Sequence, residues 1–176
     1  MDKIQTIGFL VKWARRTSWR RFPISKNMDT TRLILIVEDD DQDVELLRLA
    51  LAKEGITNPI SVVNNGREAI DYLRATGKYE DRQVYPFPGV LFLDLNLPLV
   101  PGFEVLQWIK DNEKCKIIPV MVLTSSALER DITRAYQLGA SCFMTKPGSF
   151  DELRKMVSLS FRFWSMCEIP PLPVKC

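Results

Sequence analysis

Histidine is missing altogether from the 176 residues. That excludes a Ser-His-Asp triad, a Cys-His nucleophile pair, a histidine-ligated zinc and a phosphohistidine formed on this chain. Cysteine is sparse, and Cys115, Cys142, Cys167 and Cys176 show no Cys-x-x-Cys spacing. A zinc knuckle or dithiol redox site is therefore not expected, and reduced thiols in a cytosol are. No stretch approaches the roughly 18 apolar residues of a membrane span. The run from Ile4 to Val11 is broken by Gln5 and Thr6 and leads to Arg15-Arg16 instead of a small-residue cleavage site, and no long apolar segment follows Arg20-Arg21-Phe22. Neither pattern reads as an export signal, so the expected location is the cytoplasm. Internal repeats and low-complexity segments are also missing.

What is present suits one domain: 46% of residues are apolar and 10% aromatic, enough for a sizeable core. The formal charge of +2 is unevenly spread. Residues 1–31 hold Lys3, Lys12, Arg15, Arg16, Arg20, Arg21 and Lys26 against Asp2 and Asp29, a net of +5, which leaves the remainder at −3. A neutral-to-acidic body with a basic tail is not a nucleic-acid footprint. Within the tail, Ile4, Ile7, Leu10, Val11 and Ala14 fall at helical spacing, which permits a basic amphipathic segment against an anionic membrane or a partner. The plainer readings are a disordered extension, or upstream sequence preceding a start at Met28.

From Arg32 onward, short apolar runs alternate with helical periodicity, the signature of a parallel sheet covered on both faces. Strands are expected at about 33–37, 59–63, 90–94, 119–123 and 141–145. Helices are expected at about 42–54, 66–76, 102–111, 129–138 and 149–164, with Gly55, Gly77 and Gly139 as left-handed helix ends. Right-handed crossovers leave few sheet orders for five such units, and the flavodoxin-like (βα)5 order 2-1-3-4-5 is the common one. Its topological switch then lies between the first and third strands, at Glu38-Asp39 and Asp94. Residues 77–89 read as an ordered surface loop, and Ile169-Pro170-Pro171-Leu172-Pro173 as an extended tail.

Three apolar runs end in chemistry. Glu38-Asp39-Asp40-Asp41 places four carboxylates where a strand gives way to a helix. As a solvated loop, Asp41 would cap the helix; as a convergent cluster, the acids would need a hard cation such as Mg²⁺ to relieve their repulsion. Asp94 closes the third strand before Leu97-Pro98 and Pro101-Gly102. It is either a turn cap or a carboxylate placed to attack phosphorus. Lys146, before Pro147, is either a surface lysine or one facing an anion, and its peptide to Pro147 is a candidate for the cis form. Thr124 opens Thr124-Ser125-Ser126, a hydroxyl-rich strand end that ordinary loop chemistry explains equally well.

In this order and spacing, residues 32–164 resemble a two-component response-regulator receiver domain. The long loop, Leu93-Asp94-Leu95-Asn96-Leu97-Pro98 and the Phe163-Trp164 ending are similar to the small stand-alone receivers that partner bacterial phytochromes. The resemblance implies Asp94 as phosphoacceptor, Mg²⁺ bound directly by Asp39 and Asp94, by Glu38 through water and by the Asn96 carbonyl, and Thr124 and Lys146 on the phosphoryl group. It implies Phe143 as a switching aromatic that lacks the usual hydroxyl, and Asn96 and Ser126 as residues setting phosphoryl lifetime. A sensor histidine kinase would be the donor, and residues 165–176 with the last helix would help form a homodimer through Phe161, Phe163, Trp164, Met166 and Ile169. The alternatives are that these aromatics finish the domain's own core, that the chain is an aspartate-nucleophile phosphatase, or that it is a receiver-like module acting without phosphorylation. The phosphatase reading lacks its second acid, since Asn96 stands two residues after Asp94.

Overall fold

A computed structural model describes residues 30–165 and 167. The expectations for the N-terminal extension through Asp29, for Met166 and Ile169, and for the Pro-rich tail fall outside the described residues. Five strands, β1 (Leu33–Val37), β2 (Ile60–Val63), β3 (Pro88–Leu93), β4 (Val120–Thr124) and β5 (Cys142–Thr145), form one parallel sheet in the order β2-β1-β3-β4-β5. The intervening helices are α1 (Asp41–Lys53), α2 (Gly66–Arg74), α3 (Gly102–Asp111), α4 (Glu129–Gln137) and α5 (Phe150–Ser165). This is the flavodoxin-like arrangement expected from the alternation of apolar runs.

Strand alternation divides the core into two layers. Leu33, Leu35, Val37, Leu91, Leu93, Val120 and Val122 point to the face covered by α2, α3 and α4. Ile34, Ile36, Phe92, Met121 and Leu123 point to the other face, where Val44, Leu47 and Leu51 of α1 and Leu153, Val157 and Phe161 of α5 cover them. Every residue of β1 and β4 is buried. With both faces covered, the open ends of the strands are where polar groups reach solvent, and the C-terminal end gathers the acids.

Helix caps depart from the expected residues in two places. Asp40, not Asp41, caps α1: its extended backbone sets the carboxylate to accept from the N–H groups of Gln42 at 2.8 Å and Asp43 at 3.4 Å. Asp41 is the first helical residue, an acid in the first turn. Likewise α2 ends at Ala75, which takes the left-handed conformation (φ 58°) while the Thr76 N–H reaches back to the Asp71 carbonyl at 3.1 Å. Gly77 is also left-handed, but it opens a single 3₁₀ turn (Gly77–Tyr79). Gly55 and Gly139 end α1 and α4 as expected, with φ of 76° and 89°.

The loop after that turn is pinned. The Arg82 guanidinium donates to the carbonyls of Leu73 at 2.7 Å and Tyr85 at 3.1 Å, and Tyr72, Tyr79 and Tyr85 pack as an aromatic cluster. Cys142 and Cys167 are free thiols, whereas Cys115 is disulfide-bonded, against the expectation of reduced thiols throughout. Spacing along the chain carries no information about which sulfurs meet in space. Among the described residues no helix is long and apolar enough to cross a membrane.

Candidate phosphoacceptor site

Backbone hydrogen bonds lace together the strand ends that carry the site. The Glu38 N–H donates to the Val63 carbonyl at 3.1 Å, the Asp94 N–H to Val37 at 3.0 Å, and the Lys146 N–H to Thr124 at 2.8 Å. Each functional residue is thus the first one past its strand, or the last within it, held in register by a neighbour. Behind Asp94 the chain turns tightly, and the Gly102 N–H returns to the Leu95 carbonyl at 3.0 Å.

Lys146 is the hub. Its ammonium lies 2.8 Å from Glu38 Oε2, 2.6 Å from Asp43 Oδ2 and 2.8 Å from Asp94 Oδ2. Glu38 and Asp94 are both nearly buried, at 6% and 5% exposure, and Thr124 is fully buried. Asp94 also accepts from the Asn96 N–H at 3.1 Å and from the Thr124 hydroxyl.

These contacts set the charges. Burial opposes ionisation of Asp94, yet the hydrogen bonds from Lys146, Thr124 and the Asn96 backbone outweigh it and hold its carboxyl below the ordinary value. Glu38 shares the same lysine, but burial dominates there and pushes its carboxyl up. The difference lies in donors and neighbours: among the described residues Glu38 receives, besides Lys146, a long bond of 3.3 Å from the Asp40 N–H, and the Asp94 charge works against its ionisation. Burial also works against the Lys146 ammonium, and its three carboxylate partners more than reverse this and raise its pKa.

Glu38, Asp39 and Asp94 can each bring one oxygen to within 4.8 Å of the others, with Asp39 exposed to solvent. Hard carboxylate oxygens in a partly buried cluster with an open side fit a divalent cation.

Other expected residues take up different positions. Asn96 turns its amide onto Ser125, 3.3 Å away. The Ser126 hydroxyl donates to Asp131 Oδ2 at 2.6 Å, so it is engaged with α4. Phe143 is half-buried against the core, and its N–H donates to the Tyr136 hydroxyl at 3.3 Å. No cis peptide bond occurs among the described residues, so the Lys146–Pro147 bond is trans. Phe161, named above as a candidate for a dimer contact, is 5% exposed and stacks on Phe92 in the chain's own core. Phe163 remains outside at 58% exposure, beside Trp164.

The residue that the sequence reading missed is Asp43. The signal for it is position: Asp43 stands on the first turn of the helix that follows the acid run, close enough to the strand ends for its carboxylate to meet Lys146.

Comparison with known proteins agrees with this geometry. Residues 34–158 match the family model for the response regulator receiver domain. The chain is 37% identical over 141 residues to the response regulator Rcp1 of Synechocystis sp., covering 80% of this chain and 94% of that one. A crystal structure of the phosphorylated cyanobacterial phytochrome response regulator RcpA superposes with a TM-score of 0.74 at 37% identity, covering 80% of this chain and 99% of that one. The Mn²⁺-bound form of Rcp1 gives a TM-score of 0.72 at 37% identity with the same coverage. Receiver domains of this kind bind a divalent metal, and the acidic cluster fits that property. With the sheet order, the buried aspartate and its lysine all in place, the chain belongs to the response regulator receiver domain family of phosphorelay signalling.

Proposed function

We propose that Asp94 accepts a phosphoryl group from a phosphohistidine on a sensor kinase. A carboxylate oxygen of Asp94 forms the new P–O bond while the donor's P–N bond breaks, its electron pair leaving with the imidazole. The observation that carries this reading is the environment of Asp94: an ionised, nearly buried carboxylate with an ammonium, a hydroxyl and a backbone N–H already aimed at its oxygens. Magnesium, held by Glu38, Asp39, Asp94 and the Asn96 carbonyl, would offset the charge of these acids and of the incoming group.

The chain's own residues supply the rest. Thr124 and Lys146 bind phosphoryl oxygens, Asn96 with its partner Ser125 screens the entrance against water, and Ser126 acts on phosphoryl lifetime through Asp131. Phe143 repacks when Thr124 and Lys146 are drawn in, which changes the α4–β5 surface. Residues 32–164 form the receiver body, with 1–31 as an extension and 165–176 as a tail.

The phytochrome response regulators among its relatives support a phytochrome-type kinase as donor, and the proposed location is the cytoplasm. The exposed Phe163 and its neighbour Trp164 support a homodimer through α5, without Phe161. The chain signals through protein contacts. Incubation with acetyl phosphate and Mg²⁺, followed by intact-mass measurement, should add one phosphoryl mass to the wild type and none to Asp94→Asn. No gain in the wild type, or equal gain in the variant, refutes the assignment.

A further inference from the structure

A lysine ammonium has three N–H donors, and here all three are met by carboxylates: Glu38, Asp43 and Asp94. Two of these acids, Glu38 and Asp94, also belong to the acidic cluster whose oxygens fit a cation. Asp43 does not. It makes the shortest of the three contacts, 2.6 Å, and it stands on the first turn of α1, where its N–H is tied to the capping Asp40. We propose that Asp43 is a positioning residue for phosphoryl transfer, anchoring the Lys146 ammonium from outside the metal cluster so that its other two donors face the phosphoryl group on Asp94. This rests on the reading of Asp94 as phosphoacceptor.

Lysine and cation share acceptors. A cation taking oxygens from Glu38 and Asp94 leaves Lys146 with less claim on both. A free lysine side chain carries about 2 kcal/mol of rotamer entropy, and a swinging ammonium would be a poor ligand for a group that arrives for one reaction. The Asp43 contact is indifferent to this exchange because neither the cation nor the phosphoryl group competes for its carboxylate. One donor therefore stays fixed on a rigid helix, and the vacated two remain aimed at Asp94. Asp43 acts through Lys146 and touches no reacting atom.

The test is a double-mutant cycle on the full chain, with phosphoryl uptake from acetyl phosphate timed at saturating Mg²⁺, so that metal affinity drops out. Asp43→Asn should slow uptake about 5- to 20-fold in the wild-type background, within the range of coupling between contacting charged residues. In a Lys146→Gln background the same substitution should change the rate less than about two-fold, since its effect runs through the lysine. Asp43→Glu, which keeps the charge but moves it by a methylene, should fall between wild type and Asp43→Asn. If Asp43→Asn does not fold, judged by thermal unfolding, Asp43→Glu is carried through the same cycle under the same criterion. An unchanged or faster rate, or an equal slowing in both backgrounds, overturns the proposal. Failure of the wild type to take up phosphoryl would instead count against Asp94 itself.

Discussion

Adding one methyl group behind Asp94, the proposed phosphoacceptor, by Gly102→Ala should injure stability and function together. A Cβ at Gly102 would lie 2.2 Å from the Asp94 carbonyl oxygen and 2.7 Å from the Leu95 Cα. Real Cβ contacts stay beyond 3.0 Å, so about 0.8 Å must be found. Neither obstacle is a side chain that can rotate away. Overpacking of this kind costs about 1–3 kcal/mol, and two backbone obstacles place it in the upper half of that range. Alanine recovers at most about 1 kcal/mol in helix propensity at the start of α3. The net loss is about 2 kcal/mol, or a fall of about 5–10 °C in Tm for a domain of this size.

The displaced atoms carry Asp94, so phosphoryl uptake should fall further than stability explains. Misplacement by about 1 Å can cost about 100-fold in rate. Urea or thermal unfolding, and timed uptake from acetyl phosphate well below Tm, give the two numbers. Gly148→Ala is the control: it stands two residues from Lys146, its new Cβ would meet nothing within 4 Å, and it should stay within about 0.5 kcal/mol of wild type. A Gly102→Ala protein with wild-type Tm and wild-type uptake would falsify the claim that the close approach of α3 to Asp94 sets the geometry of the site.

Ala75→Gly should stabilise the domain by about 0.5–1 kcal/mol, because it removes a left-handed alanine at the end of α2 at the cost of a more flexible unfolded chain. A lower urea midpoint would contradict this. Tyr79 is buried and donates to Glu68 at 2.8 Å, and burial followed by that hydrogen bond pushes its phenol up to about 12 from an ordinary 10. Its contribution is therefore complete below pH 10 and is lost as the pH rises from there through about 12, so Tyr79→Phe should flatten the alkaline limb of the stability curve. An alkaline limb as steep in the variant as in wild type, measured by chemical denaturation across that range, would assign the slope to other groups.

Much of this architecture could be read from the sequence because its determinants are local and repetitive. The five apolar runs are strands because both sheet faces are covered, and β1, read at 33–37, is observed there. The acids and Lys146 were legible for a related reason: a charged residue ending a buried run has no apolar explanation. Less legible were features that depend on a few degrees of backbone or on a distant partner. Asp40 and Asp41 are chemically identical neighbours, and only the dihedral angles decide which one caps α1. Ser126 is implied by the resemblance alone, and nothing in its neighbours along the chain shows that its hydroxyl is held by Asp131, five residues on. Phe161 and Phe163 differ by two positions, enough on a helix to place one in the core and the other in solvent. Asp43 escaped notice because its partner is 103 residues away in the chain.

The acids and the donors of the site rest on elements of unequal stiffness. Glu38 and Asp94 extend from β1 and β3, which are adjacent interior strands flanked on both sides. Lys146 extends from β5, an edge strand paired with β4 alone and only partly buried along its length. Carboxylates that must converge on a cation gain from the stiff centre of the sheet, where like charges cannot drift apart. For Lys146, in the role proposed above, the Asp43 contact compensates for the softer edge by tying one of its donors to α1. Pulling Lys146 inward draws on the same strand as Phe143, whose N–H is tied to the Tyr136 hydroxyl on α4. Because that bond comes from the backbone of residue 143, it joins β5 to α4 whichever aromatic side chain stands there, and a displacement of β5 would be felt at the α4 surface.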